Sequence, residues 1–479
     1  MEATARISRK DSLLGMLRGG EQMARGQQYS LIMLLCAPAI LAQLASIMLQ
    51  FIDASMVGRL GAVPSASIGL VATTTWILVG FCTAVHNGFS VQVAHLIGAN
   101  DLHAARQVVR QGLVSVLVFS IFVSLFALSI SGPLPGWLGG KGEIAEGARQ
   151  YLRINVAFLP ALAVTLFCGA TLSCSGNMKI PSLIDVFMCA MDVIFNFLLI
   201  FPTREISLLG LDFTIPGAAL GIKGAALGTG IAECLGCVAG LYFLLVKSPE
   251  LAIAHEKGSF RPTRVCLENA LGITGPLWLQ NIIVRGAYIA STVIVAPLGA
   301  VAIAANSFAV TAESFCYMPG YGMSDAATTL VGQSLGAKRR DLAGAFSTKT
   351  VWLGAAIMSF MAVLMFIFAT LLMSMLSVDP EVVSLGAKCL RLEAFAETLY
   401  AVSIVSNGAM TGAGDTLIPS FLNFGSMWLI RIPLALIFTP KFGLIGFWMA
   451  MCLELNIRGL LFLARLKSGR WMEKKLKYQ

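Results

Sequence analysis

Residues Leu60-Gly61-Ala62-Val63 return as Leu298-Gly299-Ala300-Val301, and that return decides the fold. Other landmarks keep the same step in numbering, from 60 to 298. Ala37-Pro38 reappears as Gly275-Pro276, Ile97-Gly98-Ala99 as Leu335-Gly336-Ala337, and Ile180-Pro181-Ser182 as Ile418-Pro419-Ser420. Gly176 falls on Gly414. Glycine and proline in tight turns resist replacement, so landmarks that stay in register over roughly 145 residues mark a duplication. Parallel repeats of apolar helices are one way a membrane carrier builds a midplane site between two halves.

Composition identifies the solvent. Apolar residues make up 57% of the chain, charged residues 12%, and the mean hydropathy is +0.80. Twelve apolar stretches begin near residues 31, 65, 108, 150, 180, 217, 268, 301, 350, 388, 417 and 443. Each is about 20 residues or longer, the length a helix needs to cross a ~30 Å hydrocarbon core. Nothing alternates long enough to suggest a β-barrel. The expected fold is therefore an all-α integral membrane protein of twelve transmembrane helices, arranged as two six-helix bundles.

The net charge of +9 follows topology and does not call for a nucleic-acid partner. Basic residues gather at the N-terminus (Arg6, Arg9, Lys10, Arg18, Arg25) and around residues 247–264 (Lys247, Lys257, Arg261, Arg264). They gather again at Lys338, Arg339 and Arg340, and in the tail. Threading twelve helices puts these on one side, and the positive-inside rule makes that side, with both termini, cytoplasmic. The N-terminal stretch 1–29 is too long and too charged for a cleaved signal peptide. Eleven Cys, mostly inside apolar runs, show no ligand spacing and read as small hydrophobes.

An even number of spans in each half leaves both halves facing the same way. The expected domains are a cytoplasmic tail (1–29), a first bundle (30–246), a cytoplasmic linker (247–267), a second bundle (268–466) and a basic tail (467–479). The outer loop 202–216 is longer than its counterpart 439–442 and breaks the register. Beyond it, Gly221 and Gly224 still answer Gly443 and Gly446.

An ionisable group at the bilayer centre costs about 2.5–3.5 kcal/mol even on insertion scales, so each one needs an account. Asp53 falls in the outer third of helix 1. Asp192 falls near the midplane of helix 5, with Asn196 one turn further out and Asp185 seven residues back on nearly the same stripe. Two carboxylates brought together cannot both stay ionised, so with an amide beside them they could hold one proton or one Na⁺. Against this stand plainer readings: Asp53 as a helix-end cap, and Asp192 as a hydrogen-bonded acid between helices.

The second half is furnished differently. Asp53 corresponds to Ser291 and Asp192 to Ile430. Arg285, Glu313, Asp325, Glu393, Glu397 and Arg431 lie in its helices, and the plainer reading of Arg285 is that it could pair with Glu313 or Glu397. Glu313, Glu397, Arg285 and Asp185 are candidates for the substrate cavity or its gates. Glu454 and Arg458, spaced i,i+4, are expected to neutralise each other.

The stretch from Asp53 through Met56-Val57-Gly58-Arg59-Leu60-Gly61-Ala62 resembles the first-helix motif of multidrug and toxic compound extrusion (MATE) transporters. Glu313 through Pro319-Gly320, Leu330-Val331-Gly332-Gln333 and Gly336-Ala337 resemble further motifs of that family. So do Gly412, Gly414-Asp415-Thr416, and Trp428 through Arg431 and Pro433, so both halves are covered.

The resemblance implies a V-shaped pair of bundles that expels cationic or amphipathic compounds in exchange for H⁺ or Na⁺. Its ion site would fall on Asp53, Asp192 and Asn196. Many members carry Asn first and the acid four residues later; here Asp192 comes first and Asn196 second. An acid used by some bacterial members in helix 7 falls near Val284-Arg285 and is missing, so no Na⁺ site is expected there. The resulting expectation is a monomeric, multi-pass antiporter of the inner membrane, among lipids and without a cofactor. It would work by alternating access with Pro38 as a bend point. The alternative is a flippase for lipid-linked saccharides of the same superfamily, kept in play by Arg285 and Arg431. No P-loop, metal cluster or nucleophile elbow suggests an enzyme.

Overall fold

The computed structural model describes residues 9–208, 211–254 and 256–474, with only the backbone given for 54, 62, 204–208 and 211–215. The outermost parts of the two expected tails, 1–8 and 475–479, lie outside the described residues. A short helix α1 (Arg9–Arg18) precedes α2 (Arg25–Gly58), α3 (Ala62–Gly98) and α4 (Leu102–Ile130). The single turn α5 (Leu134–Trp137) leads to α6 (Gly142–Cys174) and α7 (Lys179–Ile200). An antiparallel hairpin, β1 (Pro202–Leu208) and β2 (Leu211–Ala218), then leads to α8 (Ile222–Tyr242). The second half runs through α9 (Arg264–Val295), α10 (Ala300–Gly336), α11 (Arg340–Leu376), α12 (Pro380–Glu393), α13 (Glu397–Gly412), α14 (Leu417–Ser426) and α15 (Ile432–Ser468).

Nine helical segments among the described residues are long and apolar enough to cross a bilayer. One of them, Leu417–Ser468, holds two spans, because the chain reverses at Gly443 (φ 62°, ψ −142°). The more polar α10 and the broken pair α12–α13 complete the twelve expected from sequence. Helices suit this solvent because every backbone group is satisfied within its own segment.

The duplication is visible in three dimensions. Helix α10 begins and ends at the repeat positions where α3 begins and ends, and the starts of α11, α12 and α14 answer those of α4, α6 and α7. Left-handed backbone recurs at the same offset: Gly61 and Gly299 (φ 108° and 91°), Asn100 and Lys338 (both 59°), Gly176 and Gly414 (89° and 81°). Gly221 (φ 55°) matches the reversal at Gly443, as its place in the sequence required.

The halves meet closely at the end that carries both described termini, called here the terminal face. There α3 crosses α10. A Cβ added at Gly98 would lie 2.0 Å from the Gln333 carbonyl oxygen, and one at Gly336 would lie 1.9 Å from that of His95. The His95 Nε2–H donates to the Gly412 carbonyl (2.8 Å), and the Gln333 amide donates to the Cys174 carbonyl (2.7 Å). Across this seam lies α1, which buries Leu13, Leu14 and Leu17. Its Arg18 donates to Gln333 and to the Ser175 carbonyl and pairs with Glu250.

Three local features differ from the sequence reading. The expected N-terminal tail includes the helix α1, because its Leu13, Leu14 and Leu17 find an apolar seat. The outer loop 202–216 is mostly a hairpin. The apolar stretch that begins near residue 388 is broken at 394–396, between α12 and α13, where the Ala396 amide donates to the Glu393 carbonyl. The linker is also more fixed than its polarity suggests. Arg106, Gln107 and Arg110 of α4 hold the backbone carbonyls of Glu250, Ser259 and Glu256. His103 and Arg106 beside Glu256 hold its carboxyl below the usual carboxylate range.

Helix α2 belongs to two environments. Leu31, Ile32, Leu35, Cys36 and Ala39 sit in the apolar core of the second half, packed with α10 and α11. Nearer its other end α2 packs against α7 of the first half. The helix runs unbroken through Pro38.

Candidate ion site and central cavity

The first-half acids come together. Asn196 of α7 donates its amide to Asp53 Oδ1 of α2 (3.0 Å) and to Asp192 Oδ1 (3.2 Å). Asp192 and Asn196 are 3% and 2% exposed. Their spacing places both on one face of α7, and α8 closes over that face. Its Gly228 leaves room for the amide, since a Cβ there would lie 2.2 Å from Asn196 Oδ1. Asp192 Oδ2 and Asn196 Oδ1 are buried without a hydrogen-bond partner. Two buried oxygens thus lie beside a second carboxylate, a donor set that fits a shared proton or a small hard cation.

Sequence reasoning passed over two neighbours of this pair, Tyr151 of α6 and Glu233 of α8, which lie within electrostatic range of Asp192. Glu233 was legible as an acid in an apolar run, but not its helix face. Asp185 does not join the cluster. It lies instead within electrostatic range of Asp325 of α10, across the divide between the halves. The position equivalent to Asp53, Ser291, bonds back to the Ala287 carbonyl of its own helix (2.8 Å).

The second half holds a larger polar cluster. Glu313 of α10, Glu393 of α12 and Glu397 of α13 are all buried; neither carboxylate oxygen of Glu393 has a hydrogen-bond partner, and Glu397 has the Cys316 thiol beside it. Beside them Glu454 is clamped by two guanidinium groups. Arg431 donates to Glu454 Oε2 from Nε (2.9 Å) and Nη2 (2.6 Å), and Arg458 Nε lies 2.9 Å from Oε1. The expected Glu454–Arg458 pair is therefore present, with Arg431 as a third member. A π-helical turn at Met427–Arg431 sets the Arg431 side chain, and the reversal at Gly443 brings residue 454 level with 431.

A cavity of about 760 Å³ separates the halves. Gln43, Gln50, Trp76, Thr83 and Asn87 line it from the first half, and Gln280, Asn281, Arg285, Tyr288, Tyr317, Tyr321, Asp325 and Tyr400 from the second. Two sequence expectations are corrected here. Arg285 pairs with neither Glu313 nor Glu397; its guanidinium lies over the Trp76 ring, 5.5 Å from the centroid. Glu313 and Glu397 do not line the cavity either, because their helices turn Tyr317, Tyr321 and Tyr400 toward it and keep the acids behind. Asp53 and Asp192 also lie off the cavity, but Gln50, one turn from Asp53 on α2, faces it.

Fold and site together define a polytopic membrane transporter with a central cavity, not an enzyme. A family model described as MatE matches residues 38–198 and again 276–437, two blocks that open on equivalent prolines of the repeat, Pro38 and Pro276. The chain belongs to the MatE family. Among its relatives is a probable multidrug resistance protein NorM of Thermotoga maritima, 24% identical over 448 residues, covering 91% of this chain and 92% of that protein. A MOP superfamily transporter from Pyrococcus furiosus, described as having a binding pocket of reversed polarity, superposes with a TM-score of 0.84 at 18% identity, covering 99% of this chain and all of that one. A variant of the Vibrio cholerae MATE transporter VcmN gives 0.81 at 17% identity, covering 98% of this chain and 100% of the other.

Proposed function

We propose that this chain is an inner-membrane multidrug efflux antiporter that expels cationic or amphipathic organic compounds in exchange for H⁺ or Na⁺. The observation that carries the reading is the Asn196 amide bridging Asp53 and Asp192, with two buried acceptor oxygens of that pair left without a hydrogen-bond partner. Loading a proton or Na⁺ there neutralises a cluster that is expensive to leave charged in the membrane. The printed names of the NorM and MdtK relatives, multidrug resistance proteins, support the substrate side.

Helix α2 is the coupling element. It carries Asp53 at the acid pair, Gln43 and Gln50 at the cavity, and Leu31–Ala39 in the core of the second half. A change at the acids is thus transmitted to the cavity wall without any intermediate loop. The lysine and arginine bias puts the terminal face, with tails 1–29 and 467–479 and linker 247–267, in the cytoplasm. One charge moved down ~100 mV supplies about 2.3 kcal/mol, enough for a gradient of roughly fortyfold. The protein acts as a monomer among membrane lipids and uses no cofactor besides the coupling ion.

In everted vesicles, substrate addition should release protons or Na⁺ from the wild-type protein, and Asp53→Asn should abolish that release. Release from the variant at the wild-type rate would refute the assignment.

A further inference from the structure

The central cavity is unevenly charged. Three charged side chains line it: Arg285, Arg458 and Asp325. Arg458 is engaged by Glu454, a carboxylate it shares with Arg431, and lies against the Tyr400 ring. Asp325 lies toward the terminal face, roughly 15 Å along the helix axes from Arg285 at 1.5 Å per residue. Arg285 is different. Its Nε is buried without a partner, and among the described residues no carboxylate forms an ion pair with it. Stacking on Trp76 satisfies the face of the guanidinium plane but none of its in-plane N–H donors.

A guanidinium in a membrane-embedded cavity ordinarily has an anionic partner, because an uncompensated charge there is costly. Among the described residues none stands beside this one. The wall around it is aromatic: Trp76 on one side, Tyr288 three residues along α9, and Tyr317 with its ring 6.1 Å from Tyr321 and 5.8 Å from Tyr400. A planar fork of donors next to aromatic faces recognises a flat ring bearing a carboxylate or sulfonate. The volume suits a drug-sized molecule.

We infer that the cavity selects amphipathic aromatic anions, or zwitterions docked by their anionic group, with Arg285 as the residue that reads the negative charge. This rests on the transporter reading above and revises its substrate class, keeping the amphipathic compounds that carry an anionic group and dropping the purely cationic ones. A compact organic cation has only Asp325 to meet it, at the far end, and is repelled by Arg285 on the way.

The test uses two dyes of related ring system and opposite charge, carboxyfluorescein and rhodamine 6G, titrated by fluorescence polarisation against detergent-purified full-length protein. Carboxyfluorescein is expected to bind the tighter. Arg285→Gln should weaken it by at least about tenfold while leaving rhodamine 6G unchanged or tighter, and Arg285→Lys, which keeps charge but loses the fork, should fall between. Tighter binding of rhodamine 6G to the wild type, or undiminished carboxyfluorescein binding by a monodisperse Arg285→Gln protein, overturns the inference. The same dyes in proteoliposomes separate it from the antiporter reading. Gradient-driven movement of rhodamine 6G without selective anion binding sinks this inference alone. Arg285-dependent anion binding with no ion-driven movement of either dye sinks the antiporter and leaves the inference standing.

Discussion

The two halves hold polar groups inside a membrane helix bundle in different ways. In the first, the Asn196 amide bridges Asp53 and Asp192, Thr229 stands beside Asp192, and among the described residues no guanidinium pairs with either acid. In the second, Arg431 and Arg458 together embrace Glu454, although Glu393 and Glu397 nearby stay buried without an ion pair. An answered charge holds helices in place. In the function proposed above, the unanswered pair is where an incoming cation loads, reversibly as a carrier requires. On that reading duplication supplied one scaffold, with loading in the first half and anchoring at the Arg431–Glu454–Arg458 cluster of the second.

The largest expected effect breaks the anchored side. Glu454→Gln strands two buried guanidinium groups and should destabilise the protein by about 3–5 kcal/mol, read as a fall in melting temperature by fluorescence-detected size exclusion. An unchanged melting temperature would remove the contrast drawn above. Next comes the loading side: Asp192→Asn should lower ion-driven efflux on the order of a hundredfold, as loss of an ion ligand does, while leaving the melting temperature level or higher. If stability falls and efflux survives, the pair is structural.

A smaller effect tests the symmetry beneath the comparison. Gly98→Ala and Gly336→Ala each push a methyl into the other half's backbone, and each should cost about 1–3 kcal/mol, the two values agreeing closely. Very unequal values would show that the seam is not equivalent on its two sides. The smallest effect is expected at Glu397→Gln, which should leave ion-driven efflux within about threefold of wild type because the group lies off the cavity and in the other half from the Asp53–Asp192 pair. A loss matching Asp192→Asn would move the coupling ion into the second half.

Much of this was legible in the sequence, for a physical reason. Gly61, Gly98, Gly176 and their partners mark backbone that no side chain tolerates, so the repeat could be read from them and the helix boundaries followed. Asp192 and Asn196 are i,i+4, and that spacing alone puts them on one face. What stayed hidden depends on helix rotation and on partners far away in the chain. Arg285 turned to Trp76, in the opposite half of the chain, instead of to an acid. Arg431 found Glu454 because of a π-helical turn and a glycine reversal, neither of which hydropathy reports. Nor could periodicity say that Glu313 and Glu397 would sit behind a screen of tyrosines.

The crossing of α3 and α10 carries a lesson about ancestry. Gly98 and Gly336 are the same position of the repeat, and so are His95 and Gln333, and so are Cys174 and Gly412. A single-repeat precursor pairing with its own copy would have met itself here through a true two-fold, one glycine serving both sides of an isologous contact. Fusion released the copies to drift. An imidazole and a carboxamide now reach for matching carbonyls, 2.8 and 2.7 Å away, so the bond outlived the identity of the side chain that makes it.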